Sequence, residues 1–203
     1  MFRVPAKSIY TAYLIIACCC TSATPFATSV GDKKNKERLT PEAKGDPDNW
    51  KEFRSVSGEC TVSMPNAPEH VKQVMPLSDE KQTLSYDIYL SSFEKSALYM
   101  LLVAKYPEMV SKVLEGQTTD LHLESFLNGL LSQNPENRLI FADLVDTQGT
   151  KGLDFFIQSG TTYFKGRAVI AKNTLYLIAM ECERKNYSDH HFKHFINSFT
   201  LKR

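Results

Sequence analysis

Thr83-Leu84-Ser85-Tyr86-Asp87-Ile88-Tyr89-Leu90 alternates without a break. Leu84, Tyr86, Ile88 and Leu90 fall on one side of an extended chain, and Thr83, Ser85, Asp87 and Tyr89 on the other. That is the pattern of a strand with one buried face. The next run, Ala97 to Tyr106, carries Leu98, Tyr99, Met100, Leu101, Leu102 and Val103. A nearly continuous apolar stretch of this length suits a central strand covered on both faces. These two segments place a sheet at the heart of the fold.

Downstream, Leu123, Phe126, Leu127, Leu130 and Leu131 recur at helical spacing behind Asp120, which can cap, and Asn134-Pro135 stops the run. A shorter helix is expected near Glu108 to Leu114. Arg138–Val145, Gly152–Gln158, Tyr163–Ala171 and Leu175–Glu181 then read as an antiparallel meander. Their separators are Asp146-Thr147-Gln148-Gly149, Ser159-Gly160 and Lys172-Asn173. Asn173 tolerates the left-handed backbone that a tight hairpin requires. A last helix begins at a Ser188 cap and turns Phe192, Phe195, Ile196 and Phe199 inward, although Phe199 to Leu201 can instead close the sheet as a strand.

Upstream, Cys60-Thr61-Val62-Ser63-Met64 reads as a short strand stopped by Pro65, and Pro65 to Pro76 as irregular. The expected class is therefore α+β, an antiparallel β-sheet flanked by helices. Val62-Ser63-Met64-Pro65, the mid-chain amphipathic helix, Asn173-Thr174-Leu175-Tyr176 and the closing Phe195-Ile196-Asn197-Ser198-Phe199 together resemble the PsbP/Mog1-like group of α-β-α sandwiches. The resemblance covers about residues 50–203. It implies a binding or assembly factor without catalytic activity, and it transfers no functional residue.

The N-terminus carries a different signal. Arg3 and Lys7 precede an apolar run from Ile9 to Ala17, too short to span a bilayer core, which takes roughly 20 residues. The run has the size of a signal-peptide core. Ile15-Ile16-Ala17-Cys18 resembles the lipobox of bacterial lipoproteins. That resemblance implies loss of residues 1–17, lipid attachment at Cys18 and anchoring to a membrane through two or more acyl chains. Cys19 stands where Asp would favour inner-membrane retention, so the outer membrane is favoured. The competing reading is an ordinary secretion signal cut near Ala23 or Ala27. Residues 18–48 are polar and of mixed charge, as a flexible tether would be, with an r.m.s. span of roughly 30 Å. The domain is expected over 49–203.

The 203-residue precursor has a formal charge of +1. Removal of Arg3 and Lys7 takes that to −1, so the broad positive field of a nucleic-acid binder is missing. Cys60 and Cys182 can pair as a disulfide in an oxidising compartment or lie as two small buried thiols.

Chemistry is sparse. Asp189-His190-His191-Phe192-Lys193-His194 sets His190 and His194 one helical turn apart, a spacing that can clamp a metal. The His-Glu-x-x-His pattern is not met. No nucleophile elbow, phosphate loop, dinucleotide fingerprint or Cys-x-x-Cys pair is present in the expected domain, and no cofactor is called for. Asp143 and Asp146 read as solvated residues beside a turn. Two functions from different classes remain. One is a non-enzymatic, lipid-anchored envelope module that binds a protein or another envelope component. The other is a metal-binding protein or metal-dependent enzyme built on His190, His191 and His194.

Overall fold

Residues 46–76, 83–106 and 119–202 are described by a computed structural model. Cys18, the leader, the tether up to residue 45 and the helix expected near Glu108 to Leu114 lie outside the described residues. Asp46 accepts a hydrogen bond from the Asp48 N–H (3.1 Å), starting a single 3-10 turn over Pro47–Asn49. Trp50 follows it into the core.

Strands β1 (Lys51–Ser55) and β2 (Cys60–Met64) form an antiparallel hairpin. Seven further strands build the main sheet: β3 (Glu69–Pro76), β4 (Thr83–Phe93), β5 (Ala97–Lys105), β6 (Asn137–Thr147), β7 (Thr150–Ser159), β8 (Thr162–Ala171) and β9 (Thr174–Glu183). Their order is β3-β4-β5-β9-β8-β7-β6, antiparallel throughout. Helix α1 (Thr119–Ser132) stands between β5 and β6 in the chain, and α2 (Asp189–Asn197) follows β9. Strand β10 (Thr200–Leu201) then pairs with β2 rather than with the main sheet. Each reading of the C-terminus therefore holds in part: a helix capped by Ser188 ends at Asn197, a two-residue strand follows, and Phe199 is buried between them.

The α+β class is as expected, and each face of the main sheet has a cover. On one face Leu123, Phe126, Leu127 and Leu130 of α1 pack against Leu84, Tyr86, Phe155 and Leu177. On the other, Phe192, Phe195 and Ile196 of α2, with Val62 and Met64 of β2, pack against Tyr89, Tyr99, Leu101 and Ile178. The second cover corrects one expectation. The Asp87 and Tyr89 face of β4 is buried too, because the β1–β2 hairpin lies over it.

Three local readings also change. Pro65 to Pro76 is not wholly irregular, since β3 pairs with β4 over Glu69–Pro76. Its polar residues suit an edge strand that buries little. Asp120 lies inside the first turn of α1 and not before it, where Lys151 holds it at 2.8 Å. At the β8–β9 turn it is Lys172 that takes positive φ (54°). Asn173 instead donates its side-chain N–H to the Tyr106 carbonyl at 3.0 Å. The β6–β7 turn is built on Gln148 (φ 56°) and Gly149 (φ 76°), two left-handed residues as a two-residue hairpin prefers.

Candidate functional site

The histidine cluster does not converge on a common point. Ser188 Oγ accepts from the His191 N–H (3.3 Å) and starts α2, leaving His190 exposed. The His191 ring lies 4.9 Å from Phe93 and 6.0 Å from Trp50, centroid to centroid. His194 meets the same indole edge to face at 5.5 Å. Burial, then the neighbouring His190, holds His191 below the usual histidine range. Among the described residues no three His, Cys, Asp or Glu side chains are placed to hold a metal. Two of the three imidazoles thus act as aromatic packing around Trp50, which is 7% exposed.

Cys60 and Cys182 are free thiols, both buried in the core beneath α2. Cys60 belongs to the hairpin and Cys182 to the main sheet, and the disulfide reading is not realised. Burial pushes the Cys60 thiol up to about 12, a Ser55 hydrogen bond only partly opposing it, and the Cys182 thiol up to about 11. Thiols held so far above neutrality are poor nucleophiles.

A polar knot absent from the sequence reading sits where the hairpin crosses β4. Asp87, 5% exposed, accepts from Ser57 Oγ (2.9 Å) and lies 2.7 Å from His70 Nε2. The His70 ring stacks on Tyr89 at 4.5 Å. The carboxylate stands between the serine and the imidazole. In a nucleophilic triad the imidazole stands between them, taking the hydroxyl proton. This arrangement therefore cannot activate Ser57, and its work is to tie the β1–β2 loop to the sheet.

The remaining feature is the β6 end of the sheet, where the cover on the α2 side stops. Phe141 and Phe156 are cross-strand partners, and their rings meet at 5.9 Å. Phe156 touches Tyr163 (4.8 Å) and stacks on Tyr187 (5.4 Å), and Arg184 lies over the Tyr163 ring at 5.6 Å. All four rings are half-buried, so they form a continuous, partly open strip. Beneath it Lys165 Nζ lies 4.5 Å from the Phe192 centroid and 5.2 Å from that of Phe156. It also donates to Tyr187 Oη (2.7 Å) and Asp189 (3.0 Å). Hydrogen bonds from Lys193, Lys165 and Tyr187 hold the Asp189 carboxyl well below the usual range. Next to the strip, Arg167 grips Asp154 with Nε and Nη2, the latter at 2.8 Å. The strip ends at the edge strand β6, where Leu139, Ile140 and Leu144 are 44%, 48% and 55% exposed.

The sequence by itself shows an aromatic and basic mixture at Tyr163, Phe164, Lys165 and Arg167, which alternating burial along a strand explains. It does not show the strip, because Phe141 and Tyr187 join it only through strand pairing and the course of the chain into α2.

No family model matches this chain, and no curated protein does. Among solved structures it is similar to cyanobacterial PsbP (CyanoP) from Synechocystis sp. PCC 6803. The TM-score is 0.52 at 11% identity, over 75% of this chain and 92% of that one. It also matches a protein of unknown function, PA94 from Pseudomonas aeruginosa, with a TM-score of 0.35 at 8% identity, over 68% and 85% of the two chains. The second likeness is too weak to argue from. The first shows a PsbP-like fold.

Proposed function

Starting from a PsbP-like α+β domain, we propose that this chain is a non-catalytic module, tethered to a bacterial outer membrane through lipid on Cys18. It binds a protein of the envelope. The reading rests on one observation: the partly open strip Phe141–Phe156–Tyr163–Tyr187 beside an edge strand with exposed Leu139, Ile140 and Leu144. Aromatic side chains and arginine are the residues enriched where proteins meet, and Leu139 and Leu144, paired with Ile157 and Leu153 of the α1-side core, add exposed apolar side chains on the other face of the same edge strand. The polar knots support the same reading, since Asp87 and Lys165 are engaged in holding loops and helices. The described helices include none long and apolar enough to cross a membrane, and the lipobox supplies another means of attachment.

The anchor is tested by the intact mass of the protein from bacterial membranes. A mass starting at Cys18 with added diacylglycerol and acyl groups, lost in Cys18→Ser, is the expected result. An unlipidated mass starting near Ala23 contradicts it. The binding face is tested by Phe156→Ser and Tyr163→Ser, which are expected to abolish association with an envelope protein while the circular dichroism spectrum is kept.

A further inference from the structure

The charges on β6 are unbalanced in a way that names an occupant for that edge. Asp143 sits directly across from Asp154 in the β6–β7 ladder, and like charges in that position repel. Arg167, one strand further on, satisfies Asp154. Neither Asp143 nor Arg138 makes an ion pair among the described residues, and both are exposed. The edge carries no Lys and no Pro across its 11 residues, so the bulge at Ile140 and the charges of Arg138 and Asp143 are what select its pairing partner. The opposite edge, β3, has Lys72 and ends at Pro76.

The register shift at Ile140 gives the strand a near symmetry. Arg138 pairs with Gln158, Phe141 with Phe156 and Asp143 with Asp154. Measured on the regular strand β7, Arg138 and Asp143 therefore stand equally far from Phe141, on the same face and on opposite sides. A two-fold axis through Phe141 would set each Arg138 opposite Asp143 of a second copy. It would bring the two Phe141 rings together, and place Ile140 near the partner's Ala142.

We infer that the occupant of the β6 edge is a second copy of this chain, paired antiparallel about Phe141. This deepens the reading of the β6 end as a protein-binding surface and rests on it. The pairing joins the two main sheets into one and lays the two aromatic strips side by side, so an envelope partner would meet a face built by both copies. A symmetric interface of this kind is self-complementary, and residues i and j each appear twice in it.

The test is sedimentation velocity on the full-length protein, purified from membranes in density-matched detergent. The wild type is expected to be a dimer. R138D and D143R each place like charges together and are expected to weaken association by roughly tenfold or more. R138D/D143R restores opposite charges and is expected to recover the dimer, and an unchanged circular dichroism spectrum is expected of each single variant. A monomeric wild type overturns the proposal. So does a dimer that neither exchange affects, or one that the double exchange fails to restore. Capture of an envelope protein is read separately on monomeric R138D. Capture without self-association leaves the binding-module reading standing and removes only the dimer.

Discussion

The His191 and Phe93 rings meet edge to face with centroids 4.9 Å apart, which puts an ionisable group into an aromatic contact at the start of α2. Burial and the neighbouring His190 depress its basicity below the ordinary value of 6.5. The folded state therefore binds fewer protons at this site than the unfolded state. Its contribution to stability is complete above about pH 6.5 and declines as pH falls through that value, until the folded-state value is reached. Urea midpoints are expected to drop between about pH 7.5 and pH 5.5, and His191→Phe to shrink that drop. An unchanged difference would remove His191 as its source.

Trp50 is the single tryptophan of the chain and fastens its entry into the fold, against Tyr99 at 4.7 Å and Phe93 at 5.8 Å. Trp50→Ala is expected to cost about 3–5 kcal/mol in chemical denaturation. In the wild type, indole emission should shift to the red in the same transition that far-ultraviolet dichroism records.

Lys165 is held by rings and by Asp189, with a side chain 12% exposed. Lys165→Met keeps most of the stem and deletes the ammonium, so Tyr187 Oη loses its donor and Asp189 keeps only those from Lys193 and Tyr187. A loss of about 1–3 kcal/mol is expected. Equal stability would show that the charge is dispensable and only the stem packs.

A Cβ added at Gly166 would lie 2.8 Å from the Ala179 Cβ and 2.9 Å from Phe155 Cζ. Both neighbours are in the core, so Gly166→Ala is expected to destabilise by about 1–3 kcal/mol through overpacking. Thermal unfolding measures it, with Gly160→Ala as a surface comparison governed by φ 55° rather than by space.

The thiols of Cys60 and Cys182, raised to about 12 and about 11, are expected to resist iodoacetamide at neutral pH until the domain is unfolded. Peptide mapping after alkylation separates them from Cys18, Cys19 and Cys20.

The meander from Arg138 to Glu181 and the two helices were legible because each buries a stripe against the sheet and carries its own stop signal. Phe126 and Phe195 reveal their faces by spacing alone. Strand β3 escaped notice because Glu69, His70, Lys72 and Gln73 bury little, so no alternation marks them. Asp87 read as solvent-facing because burial by a hairpin some thirty residues upstream leaves no local trace. The His190, His191 and His194 spacing suggested a metal, yet Trp50, far away in the chain, takes up two of the rings. The strip from Phe141 to Tyr187 depends on long-range pairing in the same way. The balance of Arg138 and Asp143 about Phe141 depends on a register shift that no spacing rule announces.

The most direct test of the account is photo-crosslinking in intact bacteria, with a benzoylphenylalanine residue placed at Tyr163 in one strain and at Val56 in another. Tyr163 lies in the strip, whereas Val56 is 80% exposed on the hairpin loop away from it. The account predicts a discrete adduct with an envelope protein from Tyr163, lost on Phe156→Ser, and none from Val56. Adducts of the same size from both positions, or none from Tyr163, would contradict it.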